Sequence, residues 1–495
     1  MTEYAKERRA LVAAVLLTGV LADLLLREAP WGVNILLWMV AFCAIAGLLV
    51  RVSGFRLSPH VAWLAPLACF FAATFAWRDS DSLKVVNGTA LCCIIALAAL
   101  RGRFGFLAFG SVTEYSLGLV REWLSAPIAC IHEVLTLFAE LRSAEQRAWG
   151  TPLAVVRGLL IALPLVLLFG GLFMNADASF EQLVRTLFDF DLSAFVRALL
   201  WLPVCILAGG GTLLRLMEDH NREDLVPERG RYGLGMVETG IVLGLLNLLF
   251  FSFIATQFGY FFGGSAMLAD APGLSAATYA RRGFFELVAV TLLVLPLLLV
   301  IHWLRKDDSP GEAVLFRSLA GSLVVMLFAI MASAMHRMYL YQKTFGLTEL
   351  RLYASFFMVW LGLVFLWFLK TVLLDDRGRF AFGAVVSGVA IIVLLDVLNP
   401  DALIVRVNTS RASAGKEVDI GYLFTLSKDA VPAFIGALPF VKPHQRSYYA
   451  LHLVTRLQNE RPDDWRSWNR GAARARQAFG IHRMELERMA LSGGR

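Results

Sequence analysis

The stretch HRMYLYQKTFGLTELRLY, His336 to Tyr353, separates two long apolar runs, MLFAIMASAM before it and ASFFMVWLGLVFLWFL after it. A mere connector can be any short polar turn. This one interleaves Arg337, Lys343, Glu349 and Arg351 with Tyr339, Tyr341, Phe345 and Tyr353. Its meaning depends on what the flanking runs are. The chain of 495 residues is 58% hydrophobic and 17% charged, with a mean hydropathy of +0.64, whereas soluble domains carry about 25% charged residues. The composition reads as a membrane protein. Runs of about 20 apolar residues then read as helices that cross a ~30 Å hydrocarbon core with their backbone polar groups bonded internally.

On that basis the sequence predicts an all-α fold, a polytopic transmembrane bundle of eleven spans with a small helical soluble module at its C-terminal end. The spans are Ala10–Leu26, Trp31–Val50, Val61–Trp77, Val85–Leu100, Leu153–Phe173, Phe195–Leu214, Leu234–Phe262, Phe284–Leu304, Ala313–Met335, Leu352–Leu374 and Phe380–Leu398. Four regions follow: 1–100 with four spans, 101–152 as an amphipathic segment on the cytoplasmic surface, with a twelfth span within 104–149 as the alternative, 153–398 with seven spans, and 399–495 as a basic module. With the N-terminus inside, inner loops hold 18 Lys and Arg and outer loops 9. The positive-inside rule therefore places the N-terminus in the cytoplasm and the module outside. Five of those outer cations come from YARRGFFEL (Tyr279–Leu287) and the opening stretch.

Cations on the side that usually avoids them mark a candidate site. Arg281, Arg282, Glu286, Arg337, Tyr341 and Arg351 are expected to converge as a cationic, aromatic-lined pocket for a phosphate, carboxylate or lipid headgroup. The same residues also fit interfacial anchors with snorkelling cations, or a subunit interface. Asp23 and Asp396, at similar depth, are further acidic partners. Within the spans, Glu238, Asn247 and His302 are the polar candidates. FGLT predicts Gly346 as a helix-ending residue of positive φ and Thr348 as the next N-cap.

No phosphate-binding, zinc-protease or nucleophile-elbow motif occurs. The six cysteines show neither disulfide nor metal spacing, so no metal and no cofactor are expected. No catalytic residues are assigned, since an enzyme would need a nucleophile, base pair or metal site that is not recognisable here.

From Pro400 onward the chain has 15 Lys and Arg against 9 Asp and Glu, so nearly all of the net charge of +7 belongs to the tail. NPDALIVRVNTSRASAGKEVD reads as an extended segment and loop. A helical hairpin over IGYLFTLSKDAVPAFIGAL follows, with Ser427 or Asp429 as N-cap. HQRSYYALHLVTRLQNE, PDDWRSWNRGAARARQAFG and HRMELERMAL give three further helices. Short amphipathic helices rich in arginine suit a solvated or headgroup-facing surface better than nucleic acid.

YARRGFFEL, RMYLYQKTFGLTELRLY and NPDALIVRVNTSRA with DIGYLFTLSKDAVPAF together resemble a family of polytopic bacterial inner-membrane proteins defined by a domain of unknown function, over about Leu153 to Phe434. The resemblance implies a bacterial inner-membrane location. It marks Tyr279, Arg281, Arg282, Glu286, Arg337, Tyr341, Gly346, Thr348, Arg351, Asp419, Tyr422 and Asp429 as family-typical, without implying a reaction. The expectation is an integral protein of the cell envelope, in contact with the lipid bilayer, that binds or transports an anionic lipid or solute at its outer face. The alternative is a non-catalytic partner or sensor that docks another envelope protein through the C-terminal module.

Overall fold

The computed structural model describes residues 2–27, 29–53, 59–104, 236–262, 284–304, 310–371, 379–413, 416, 418–441, 443–458 and 464–492. Among them are fourteen α-helices and no strand. Nine occupy predicted span positions: α1 Thr2–Leu26, α2 Val33–Ser53, α3 Pro59–Trp77, α4 Asp81–Phe104, α5 Met236–Phe262, α6 Phe284–Leu304, α7 Pro310–Phe345, α8 Glu349–Thr371 and α9 Phe380–Leu398. Five of them, α2, α4, α7, α8 and α9, contain stretches long and apolar enough to cross a membrane, while α1, α3, α5 and α6 carry shorter apolar stretches. The expected spans Leu153–Phe173 and Phe195–Leu214, and the surface segment 101–152 beyond Phe104, lie outside the described residues.

The helices form two packed groups. Consecutive α1 to α4 bury Met39, Phe42, Phe71, Ala72 and Ile94 between them. In the second group α7 touches α5, α6 and α8 around Leu243, Leu298, Phe316, Leu323, Leu327 and Phe365. Helix α9 joins the groups, with Val389, Ile392 and Val393 against the first and Phe380 within the second. Large apolar side chains such as Leu248, Phe251, Leu293 and Val325 remain exposed around the outside. That pattern suits helices solvated by lipid, where Pro66 and Pro296 inside α3 and α6 are also tolerated.

Helix α7 runs ten residues past the predicted end of its span and α8 starts at Glu349, so all of the opening stretch but Gly346–Thr348 is helical and those three residues are the link proper. Gly346 has φ +81°, and its amide still bonds the Gln342 carbonyl at 2.8 Å. This left-handed closure of a helix is the one FGLT predicts. Thr348 Oγ1 accepts from the Arg351 amide at 3.4 Å as α8 begins.

The C-terminal module comprises α10 Pro400–Ser413, α11 Ile420–Thr425, α12 Val431–Ala437, α13 Pro443–Gln458 and α14 Arg470–Ser492. Two expectations are corrected here. NPDALIVRVNTSRAS is helix α10, not an extended segment: Asn399, at φ 52°, ends α9, its side chain accepts from the Ala402 amide at 3.2 Å, and Pro400 occupies the first helical position. The β-branched run obscured these start signals. The last two predicted helices are one, since α14 continues through Gly480, and it is capped by Asn469, whose Oδ1 accepts from the Ala472 amide at 2.7 Å. Ser427 does cap the turn that leads into α12.

The module shares its core with the bundle. Leu347, Leu352 and Phe356 pack with Ile404, Leu423, Phe434, Tyr449 and Phe479. It also meets the turns at one end of the helices. Val33 N donates to Trp468 O at 2.9 Å, Arg466 reaches the carbonyls of Leu24 and Arg27, and Asn408 holds the Leu347 peptide by both ends at 2.7 and 2.8 Å. A Cβ at Gly346 would collide with Asn408 and Arg411 as well as forcing a left-handed alanine. Gly346→Ala is therefore expected to lower stability by about 2 kcal/mol or more. A thermal melt of the purified protein, read beside Gly436→Ala, whose added methyl meets nothing within 4 Å, checks this.

Candidate functional site

Helix α3 ends at Trp77, and Arg78, Asp79 and Ser80 turn the chain into α4. Arg78 is 6% exposed. A buried guanidinium needs its donors satisfied and its charge met. Its Nε and Nη2 donate to the Asp396 carbonyl at 2.8 and 2.5 Å, Nη2 also reaches the Val397 carbonyl at 3.3 Å, and Nη1 lies 4.0 Å from Asp429 Oδ1. Arg78 thus caps the carbonyl end of α9, where the helix dipole favours a cation. Burial pulls its pKa down, while Asp429 and Asp396 oppose that.

Two aspartates tie this turn to the module reciprocally. Asp429 Oδ2 accepts from the amides of Asp79 and Ser80 at 2.6 and 3.2 Å. Asp79 accepts from the Lys428 amide at 3.3 Å and from Asn469 Nδ2 at 2.9 Å. Gly471 is required at the start of α14, because a Cβ there would strike Asp429 Oδ1. Burial pushes the Asp429 carboxyl up to about 6, against the pull of the Asp79 amide and Arg78.

Against this clasp opens a pocket of about 330 Å³. Arg78, Arg406, Arg470 and Arg474 line it, with Asp429 as its acid, Trp77 beside Arg78, and Pro432, Ala433, Ala478 and Ile481 as apolar wall. Arg406, Arg470 and Arg474 are exposed, whereas Arg78 and Asp429 are buried. With Arg78 facing Asp429, the other three guanidiniums leave the pocket strongly positive. Residues from α3, α10, α12 and α14 meet there with Asn399, which ends α9, and α14 presents its N-terminal turn. A helix start and convergent guanidiniums favour an anion.

Of the predicted cluster, only Arg337, Tyr341 and Arg351 have described side chains. Arg281 and Arg282 lie outside the described residues, and so does the side chain of Glu286 in α6. Arg351 and Tyr341 do meet, with the guanidinium 4.0 Å over the ring, and Arg351 Nη1 donates to the Gly346 carbonyl at 2.6 Å. They brace the α7–α8 turn. Arg337 lies one helical turn before Tyr341 on α7 and is half-buried. Asp23 pairs with Arg27, the residue just past its own helix, whereas Asp396 accepts from Asn87 Nδ2.

Within the bundle, Asn247 Nδ2 donates to the Leu243 and Leu319 carbonyls at 2.7 and 3.0 Å, and its Oδ1 accepts from Ser322. This joins α5 to α7. His302 packs near Phe316, 5.2 Å between ring centroids. The Glu238 side chain lies outside those described. Sequence reasoning missed Arg78, Arg406, Arg470 and Arg474 as one set; the one available signal was arginine clustering in the tail.

The family defined by a domain of unknown function, DUF4153, matches residues 64–437. The match begins well before Leu153, where the likeness read from motifs starts, and takes in most of α3, Arg78 and α4. No curated protein and no solved structure matches the chain.

The raised Asp429 pKa has a direct consequence for pH dependence. Between the ordinary carboxyl value of 3.8 and about 6, the folded state holds a proton that the unfolded state has released. The stability it contributes is present below about 4 and lost as pH rises through about 6. Melting temperatures from pH 4 to 7 should show this decline in the wild type and a flatter profile in Asp429→Asn.

Proposed function

The chain belongs to the DUF4153 family, and for this member we propose a binding protein of the bacterial inner membrane whose outer face takes the phosphate of an anionic lipid or solute between bundle and module. The observation that carries this is the arginine-lined pocket at the end of α3. Its volume lies at the low end for small-molecule sites, about 300–1,000 Å³. That is room for a headgroup but not for acyl chains. Trp77, at the end of an apolar helix, marks the level where headgroups lie. The site differs from the cluster expected around Arg281 and Arg337, but its ligand chemistry is the same.

Orientation belongs to the same proposal. The turns that the charge bias assigns to the outside, α1–α2, α3–α4 and α7–α8, all contact the C-terminal module. This mutual consistency supports one membrane side for all of them, and the 18 to 9 bias supports that side being extracytoplasmic. Docking of another envelope protein is the second reading. It is favoured by Ile481, Met484 and Leu491 of α14, which are 72, 81 and 80% exposed.

Native mass spectrometry of the detergent-solubilised protein with phosphatidylglycerol or phosphatidylcholine tests the pocket. Preferential retention of phosphatidylglycerol is expected. The double variant Arg470→Gln, Arg474→Gln should weaken it by about tenfold or more, since a hydrogen bond to a charged group is worth about 1.5–3 kcal/mol. Competition by inorganic phosphate would indicate a solute site. Equal retention of both lipids, with no phosphate binding, would refute the anion reading.

A further inference from the structure

Asp429 is the one carboxylate among the described residues that line the arginine pocket, and its two oxygens have different partners. Oδ2 accepts from the amides of Asp79 and Ser80, neither of which lines the cavity. Oδ1 stands between two residues that do. It lies 4.0 Å from Arg78 Nη1, and a Cβ added to Gly471 would strike it. At that distance Arg78 supplies charge but no hydrogen bond, and no group among the described residues donates to Oδ1. The side chain is 3% exposed. Oδ1 is therefore a buried acceptor with its vacant lone pairs on the pocket side.

A cavity walled only by guanidiniums would accept any oxyanion of the right size. One buried acceptor among them changes what fits. A bare ligand oxygen against Oδ1 would set two negative atoms together where little water screens them, whereas an O–H or N–H there satisfies the carboxylate. The neutral polar neighbours do not impose the same demand. Asn399 Oδ1 already accepts from the Ala402 amide at 3.2 Å, and Gln477 is exposed, with an amide that can turn either end to a ligand. The ligand thus needs anionic oxygens for Arg406, Arg470 and Arg474 and, a few bonds away, a donor for Asp429. An ammonium would donate too, but its charge cancels the phosphate and leaves the three guanidiniums unbalanced. A hydroxyl donates without adding charge.

We propose that the pocket takes a polyol phosphate, with the phosphate held by Arg406, Arg470 and Arg474 and a neighbouring hydroxyl donating to Asp429 Oδ1. This rests on the anion reading of the pocket and adds a selectivity that the arginines alone do not provide. A glycerol headgroup on a phosphodiester lipid and a free glycerol phosphate present the same chemistry.

The test is native mass spectrometry of the full chain in detergent with phosphatidylglycerol and phosphatidylmethanol of identical acyl chains. Both are singly charged phosphodiesters, and only the first bears headgroup hydroxyls. At about pH 7.5 Asp429 is ionised, since burial pushes its carboxyl up only to about 6. The wild type is expected to retain phosphatidylglycerol about tenfold over phosphatidylmethanol, as one hydrogen bond to a charged acceptor allows. Asp429→Asn reverses the contact: the Asp79 and Ser80 amides hold its carbonyl oxygen where Oδ2 stood, so its NH2 faces the pocket as a donor. The ratio should then fall to about one, with phosphatidylmethanol retained at least as well as by the wild type. Displacement of phosphatidylglycerol by glycerol 3-phosphate would support the proposal with a soluble ligand, and retention against it would support the lipid. Equal retention of the two lipids by the wild type, both above phosphatidylcholine, would overturn the proposal and leave the anion reading standing. So would phosphatidylethanolamine held as well as phosphatidylglycerol. Neither anionic lipid held above phosphatidylcholine would remove both readings. The wild-type comparison needs no variant and decides the matter even where Asp429→Asn does not fold.

Discussion

A guanidinium buried at the junction of three segments sets the constraint on which this end of the molecule depends. Arg78 cannot shed its charge, so its surroundings must supply acceptors and an anion. The acceptors are the last carbonyls of α9, and the anion is Asp429 from a loop 351 residues further along the chain. Meeting both needs fixes where α9 ends relative to α3, and where the Ser427–Asp429 turn sits over both. The pocket is the cleft left when those positions are satisfied. Its location between bundle and module follows from the same pairing.

The opening stretch has a mechanical meaning in this light. Its tyrosines and arginines read as membrane anchors or ligand contacts, but Tyr341 and Arg351 are engaged with each other and with the turn they flank. Asn408 grips Leu347, and Tyr422 OH accepts from the Glu349 amide at 2.6 Å. The link between α7 and α8 is a joint into which the module is keyed. Polar and aromatic residues are needed there because one side of the turn is buried by another part of the protein.

Local signals carried much of the architecture. Apolar runs gave the position of every described bundle helix, and FGLT gave the helix stop at Gly346, because a left-handed residue leaves a local mark. The site was less legible. Arg78, Arg406, Arg470 and Arg474 lie on segments up to 396 residues apart in number, and no pattern of period 2 or 3.6 relates them. Charge counts drew attention to Arg337 and Arg351 as cations on the wrong side. The same count gave Arg78 no prominence, since burial and pairing are properties of the folded chain. Helix α10 was missed because Val and Thr favour extended backbone, while Asn399 and Pro400 fixed its start.

The distance along the chain between the two halves of the aspartate clasp also bears on how the protein is built. Asp79 is synthesised 390 residues before Asn469, and Gly32 long before the Ser467–Trp468 backbone that packs over it. The α1 to α4 group can therefore fold early, yet the polar groups at its module end must wait for partners that are synthesised 390 residues later. Completion of the clasp is then a late step of assembly, since both aspartates need partners from distant parts of the chain.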